Sequence, residues 1–433
     1  MTAAEPAAEA GRIAGAGIRM VLVAVLAACL YFVPRATVIV FPAITIASYA
    51  LSVRGPGFTP GFTHRALLGA VRPALPLLGV ALLSVAWALE PATSFSRALR
   101  LIVEIGLATL LFVLVPREPG PALRRMIAPL AAGLIGASLL ALADVKLDGL
   151  LSAWLRPKGA PIGIAYSLSG ALHTMFALPL AVALWRTGRP ILAGTVLVSV
   201  LSIAAVGSST ATVALSLALL AGLGVLALPG LRWLVLGIQL VALLAMPLVL
   251  PISVNERICD LLGSRSSALH RIAIWNFAYE QWRARPVLGW GLESSRDLGA
   301  KRQVQYMAGC AVPGGNTDPP PMDEALPLHP HSFIVQVWLE LGALGALAMA
   351  WLIIHLSLRA WRAAPDRWGH AAITGFSVAT FTIASSSYGL WQSWWVATLV
   401  IGGGLALLCS RIASRGIGTR LRPPDNAPPG KAA

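Results

Sequence analysis

The sequence predicts an all-α polytopic membrane protein with about twelve transmembrane helices and one large loop on its outer face. Three observations carry the prediction. Of 433 residues, 57% are hydrophobic and only 12% charged, whereas a soluble domain carries about 25% charged residues. Apolar runs of helix length recur about twelve times along the chain. Basic residues collect on alternate connections between those runs.

The runs lie near 18–34, 37–53, 73–89, 98–116, 125–144, 168–185, 190–206, 210–228, 231–251, 333–356, 371–387 and 392–410. Those at 37–53 and 371–387 are the weakest, being short or rich in Ser and Thr. They divide the chain into nine helices over 1–251, a large loop over 252–328, three helices over 329–410 and a short basic, Pro-rich tail over 411–433. The tail is expected to be disordered. The first run follows a polar stretch holding Glu5 and Glu9 rather than a basic segment, so it reads as a retained helix.

With the N-terminus inside, the inner face receives Arg12, Arg19, Arg54, Arg65, Arg72, Arg117, Arg124, Arg125, Arg186, Arg189, Arg232, Arg359, Arg362, Arg367 and the five basic residues of the tail. The short outer loops hold Arg35, Arg97, Arg100, Lys146, Arg156 and Lys158. Short loops decide orientation, so both termini are expected inside. The net charge of +15 is then a topology signal that also suits an anionic leaflet. Nothing else in the chain points to nucleic acid.

The large loop far exceeds an ordinary connection. Ile272, Trp275, Tyr279 and Trp282 recur at helical spacing, which predicts an amphipathic helix over about 267–285. Pro286 stops it, and Leu288-Gly289-Trp290-Gly291 reads as a turn with room for close backbone approach. Arg257, Arg265, Arg271, Arg283 and Arg285 crowd the first half of the loop. Cys259 and Cys310 also lie in it. In an oxidising compartment they are expected to form a disulfide closing about 50 residues and contributing roughly 2–4 kcal/mol.

Two histidines, His329 and His331, stand where this loop meets the tenth apolar run. Histidine moves protons near neutral pH, and ionisable groups at a membrane surface tend to mark function. Their spacing around Pro330 cannot present both to one metal on a helix face, and no Cys or carboxylate cluster completes a site. No metal is expected. Arg265, Arg271 and Arg100 are candidates to grip phosphate oxygens through their forked guanidinium groups. Glu340 lies nine residues past His331, about 13 Å deeper and on nearly the opposite helix face. It is expected to partner a buried polar group. Gly342 and Gly345 are expected to let another helix pack closely.

The string His329-Pro-His331-Ser-Phe-Ile-Val-Gln336-Val-Trp-Leu-Glu340-Leu-Gly342-Ala-Leu-Gly345 resembles the signature of the O-antigen ligase/polymerase superfamily. That pattern is His-x-His-Asn-x-x-Leu-x-x-x-x-Glu-x-Gly-x-x-Gly, after a large periplasmic loop. Arg271-Ile-Ala-Ile-Trp275 and Arg285-Pro-Val-Leu-Gly289-Trp-Gly291 are similar to two further stretches of the family. Two departures stand out. Ser332 replaces the usual Asn, and Gly207-Ser208-Ser209 occupies the place of a Gly-Ser-Arg.

The resemblance implies a membrane-embedded, metal-independent glycosyltransferase of the type C class in the bacterial inner membrane, with its site on the periplasmic face. It implies a polysaccharide donor on undecaprenyl pyrophosphate, a lipid A–core acceptor, and no cofactor. His331 matches the second histidine of the pattern and is the expected general base, His329 its helper, and Arg265, Arg271 and Arg100 the pyrophosphate contacts. The alternatives are an O-antigen polymerase using the same donor, a protein O-oligosaccharyltransferase, and, in a different class, a transporter or flippase. A transporter would place its charges near mid-membrane in two similar halves, whereas here they gather at one face.

Overall fold

A computed structural model describes residues 33–54, 64–115, 121–150, 153, 162–253, 266–299 and 325–415. Among these residues every regular element is helical. Most of the first apolar run, Arg265, Cys29, Cys259, Cys310, residues 254–265 and 300–324 of the loop and residues 416–433 lie outside the described residues.

The main helices are α1 (Thr37–Arg54), α2 (His64–Trp87, with 3-10 turns at Arg72–Ala74 and Ser84–Trp87), α3 (Pro91–Leu114), α4 (Pro121–Lys146), α5 (Ile162–Arg186), α6 (Pro190–Gly207), α7 (Ser209–Ala227), α8 (Leu231–Leu244), α9 (Ser266–Arg283), α10 (Phe333–Ala363), α11 (Arg367–Ala384) and α12 (Ser393–Arg415). Their starts are written locally. Proline opens α3, α4 and α6, where its missing N–H would have no helical partner anyway. Side-chain oxygens cap others: Ser208 accepts from Ala211 N at 3.2 Å, and Asp366 from Gly369 N at 2.7 Å.

Several boundaries differ from the sequence reading: α2 already begins at His64, α10 runs on to Ala363, and two further runs are shifted. The run expected at 231–251 ends at Leu244, with only a short turn at Met246–Val249 beyond it. The run expected at 371–387 begins earlier, at Arg367, and ends at Ala384. The eight residues that follow form a turn, Ser385–Gln392, before α12. Among the described residues, five helices are long and apolar enough to cross a membrane: His64–Trp87, Leu123–Lys146, Ser209–Ala227, Phe333–Ala363 and Ser393–Ser414.

Helix α5 packs against α4, α6, α7, α11 and α12. Its Leu180 and Leu184 share a core with Leu134 of α4, Val196 of α6, Leu215 of α7 and Ile412 of α12. Between α7 and α11 the buried residues are largely small, among them Ala214, Ala218, Ala371 and Ala379, which lets backbones approach where lipid supplies no hydrophobic drive.

A larger core surrounds α10. It joins Val337, Leu339 and Leu341 to Leu77 of α2, Leu243 of α8, Trp391 and Trp395, and also to Ile274, Ala278, Leu292 and Leu326 from the loop. The loop is thus packed onto the bundle by the same apolar residues that fill it. Ile272 is buried, while Trp275, Tyr279 and Trp282 lie half-buried along one side of α9.

The bundle has two distinct ends. At one, Arg97 near the start of α3 reaches Trp391 and Glu293. At the other, Arg411 donates to Val115 O at 2.9 Å and Arg186 to Ala413 O at 3.0 Å. The histidines belong to the first end.

Candidate functional site

The turn after α9 is built into α10. In a regular helix the N–H groups of Ala343 and Leu344 would bond to the carbonyls of Leu339 and Glu340. Here they donate instead to Pro286 O (3.0 Å) and Val287 O (3.3 Å), while Leu339 O and Glu340 O accept from Trp290 N (3.0 Å) and Gly291 N (2.8 Å). Gly342 makes the break, with φ +61° and ψ −156° inside the helix. The turn answers with Gly289 at φ +67° and Gly291 at φ +97°. These conformations suit glycine because it has no Cβ.

Gly342 was expected to admit a neighbouring helix; it admits this turn. A Cβ on Gly342 would lie 2.4 Å from the Val287 carbonyl carbon. The turn is also held from the side, by Trp87 Nε1 donating to Leu288 O at 3.2 Å, by Leu292 N donating to Ser84 Oγ at 3.1 Å, and by Ser94 Oγ donating to Leu292 O.

Just beyond the turn lies a polar cluster, buried except for the exposed Arg296 at its edge. Glu340 accepts from Glu293 N (2.7 Å), Ser295 Oγ (2.5 Å), Gln336 Nε2 (3.0 Å) and Trp391 Nε1 (2.7 Å). One carboxyl therefore joins the loop, α10 and the turn before α12. Glu293, at φ +67°, lies between two arginines, 3.2 Å from Arg97 Nε and 2.6 Å from Arg296 Nε.

The histidines sit at the mouth of α10. Ser332 caps that helix by accepting from Val335 N at 3.5 Å, so the residue that departs from the family's Asn still supplies a capping oxygen. Between the two histidines the Pro330 carbonyl accepts from Trp275 Nε1 of α9 at 2.8 Å. Helix α9 is itself tied down by Asn276, whose amide pairs with both N and O of Ile252 (2.8 and 2.9 Å).

The hydrogen-bond partners in this arrangement, an acceptor for one ring and a donor for the other, assign both tautomers. His331, at φ +55°, places Nδ1 2.8 Å from Ser387 O. A carbonyl only accepts, so Nδ1 carries the proton and the neutral ring keeps its lone pair on Nε2. His329 Nδ1 accepts from His331 N at 3.2 Å, which puts the proton of the neutral ring on Nε2. The rings meet edge to face, 4.4 Å between centroids.

Burial pushes His329 down to about 3, helped by His331 and Arg296 nearby. Burial also lowers His331, with Arg271 acting in the same direction and the Ser387 carbonyl opposing. His270 of α9 is lowered by burial and by the neighbouring His331 and Arg271. Both histidines of the motif are therefore neutral near pH 7.

Of the predicted cations, the structure brings Arg271 to His331. Arg271 is half-buried on α9, where burial lowers its proton affinity and Tyr388 offsets part of that. Arg265 lies outside the described residues. Arg100 is not brought to the histidines. It is exposed, with Nη2 donating to Ser96 Oγ at 3.2 Å in its own helix. Three residues turn a helix about 300°, and it is Arg97 that faces inward.

The sequence reading set Arg97 at the outer face without choosing it as a site residue, and it passed over Glu293, Arg296, Ser387 and Gly389. Only the excess of charge in an apolar setting could have flagged Arg97, Glu293 and Arg296. No three His, Cys, Asp or Glu side chains stand together as a metal site among the described residues. An apolar cavity of about 360 Å³ lies among Leu111, Leu134, Phe176 and Leu405, lined by none of the predicted site residues.

The family model described as O-Antigen ligase matches residues 194–350, a segment that contains α9, the inserted turn, both histidines and Glu340. A protein named "Putative polysaccharide ligase" from Rickettsia prowazekii is 33% identical over 137 residues, 31% of each chain. Proteins of the same description from Rickettsia typhi and Rickettsia conorii are 31% and 30% identical over 144 and 139 residues. These matches cover 31% and 32% of this chain, and 31% of each relative. The chain thus spans about a third of the length of the curated relatives it matches. Over this matched segment, about a third of the chain, the protein is similar to the O-antigen ligase family and to these polysaccharide ligases.

Proposed function

We propose that the protein is an O-antigen ligase, transferring a polysaccharide from undecaprenyl pyrophosphate to a sugar of lipid A–core at the periplasmic face of the bacterial inner membrane. The observation that carries this reading is the pairing of His331 Nδ1 with Ser387 O beside Arg271, with His331 and Arg271 both in the segment that matches the family model.

The chemistry follows from that geometry. His331 Nε2 takes the proton of the acceptor hydroxyl, and the oxygen attacks the anomeric carbon of the donor sugar. The bond from that carbon to the pyrophosphate oxygen breaks on the opposite face, and the electron pair leaves with undecaprenyl pyrophosphate. The anomeric configuration inverts. Arg271 offsets the charge gathering on the diphosphate, joined by Arg265, which precedes it by six residues in the sequence. Arg100, on the exposed side of α3, would meet the donor only from the bilayer. His329, neutral and braced against His331 N, orients the base. The diphosphate is already a good leaving group, so the proposal invokes no metal and no cofactor.

The test is reconstitution in vesicles with an undecaprenyl-pyrophosphate glycan and lipid A–core as acceptor. Glycan appearing on lipid A–core is the expected result. A product that only lengthens the donor glycan would assign an O-antigen polymerase, a glycosylated protein an O-oligosaccharyltransferase, and movement of the donor across the bilayer without transfer a flippase.

A further inference from the structure

We propose that Arg97 is a positioning residue for the histidine pair, holding with Gln336 the Ser385–Gln392 turn against which both imidazoles rest. The inference rests on the reading that His331 is the base.

Arg97 is 8% exposed. Its Nη1 donates to Trp391 O at 2.6 Å and to Ser393 Oγ at 3.3 Å; its Nε and Nη2 meet the two Glu293 oxygens at 3.2 and 3.4 Å. Gln336 takes the preceding residue, accepting from Leu390 N at 2.8 Å. Glu340 takes the Trp391 indole at 2.7 Å. Two successive residues of the turn are therefore fixed at N, O and side chain.

The other half of the same turn faces the histidines. Ser387 O receives His331 Nδ1. Gly389 backs onto His329 so closely that an added Cβ would lie 2.9 Å from its Cγ. Move the turn by an ångström, and the tautomer, tilt and packing of the pair all change.

A purely structural role explains this less well. A buried ion pair is weak evidence for stability, because desolvation offsets the attraction, and apolar residues often do as well. The bidentate guanidinium here does something an apolar pair cannot: it aims a backbone carbonyl. The charged and titratable groups facing His331 are His329 on its own segment, His270 and Arg271 on α9, and Tyr388 beside Arg271. Arg97 therefore acts on His331 through the turn and not by direct contact.

The experiment compares wild type with the double variant Arg97→Met/Glu293→Leu, which removes both buried charges together and leaves only the exposed Arg296 without its carboxylate. Gln336→Leu, which leaves the ion pair intact, is run beside it. Transfer is followed over pH, and the seven histidines are followed by nitrogen NMR of histidine-labelled protein in nanodiscs, with His331 assigned through His331→Ala. Expected in both variants is a fall of about 10²-fold in kcat with KM unchanged. His331 should lose its pure Nδ1–H signature. The acid limb of the rate should move to lower pH, because the Ser387 hydrogen bond that favours the imidazolium is weakened. Arg97→Lys should restore part of the rate, and Arg283→Ala, an exposed residue paired with Glu280, should match wild type.

Wild-type kcat in the variants, or a lowered kcat with an unchanged His331 signature, overturns the proposal. If the double variant is not recovered folded, Gln336→Leu decides between the two outcomes by itself. The underlying reading fails separately: wild-type transfer by His331→Ala would end the base assignment, while the NMR comparison would still report whether Arg97 aims the ring.

Discussion

Gly289 and Glu340 touch backbone to backbone: a methyl group added to Gly289 would lie 2.4 Å from the Glu340 carbonyl carbon. That closeness is what allows a loop turn to enter the hydrogen-bond ladder of a helix long and apolar enough to cross a membrane. The ladder loses two internal bonds and the turn returns four.

Gly342→Ala and Gly289→Ala are therefore expected to destabilise the protein by about 3 kcal/mol or more, since each forces a side chain into a left-handed backbone and onto a neighbouring peptide. Gly79→Ala in α2, where nothing lies within 4 Å, should be neutral or slightly stabilising. Thermal unfolding in one detergent compares the three.

His331→Ala should insert and unfold as wild type yet lose about 10²–10⁴-fold in transfer. In the wild type His331 sits below the ordinary 6.5, so the rate should stay level through neutral pH and fall only below the usual imidazole range. A rate that declines already between about pH 8 and pH 7 would contradict this.

Arg271 makes its own prediction, with a definite sign. Its charge holds His331 down, so Arg271→Ala should move the acid limb of the rate to higher pH. Arg271→Lys keeps the charge but not the fork. It should leave the acid limb near its wild-type position while kcat falls about 10²-fold. The two variants, assayed over pH, separate electrostatics from geometry.

Acid should loosen the site. His329 binds its proton near 6.5 when unfolded and near 3 when folded. Between those values the unfolded state holds more protons, so this contribution to stability is complete above about pH 6.5 and is lost as pH falls toward 3. The melting temperature should decline from about pH 7 to pH 4, and His329→Asn should flatten the slope.

Much of this was legible from residue order. Apolar runs placed the helices because the 3.6-residue period and the bilayer both act on side chains that the chain spells out. The Gly289–Gly291 turn was legible for the same local reason. What escaped was long-range. Nothing in the letters around Gly342 says that the group approaching it is a turn from 50 residues earlier and not a helix. Nor does Arg97 differ from Arg100 in sequence terms; only packing decides which one turns inward. The Ser387 carbonyl could not be found at all, because a backbone oxygen has no signature.

The inserted turn also limits how substrates can arrive. A segment that closes over a membrane site is usually imagined as a lid. This one cannot swing without stripping partners from four backbone hydrogen bonds on both its own residues and α10, at about 1–3 kcal/mol for each group left bare. It behaves as a doorpost. In the proposed reaction, lipid-borne donor and acceptor would pass beside it, and the part that opens to admit them would be another part of the chain.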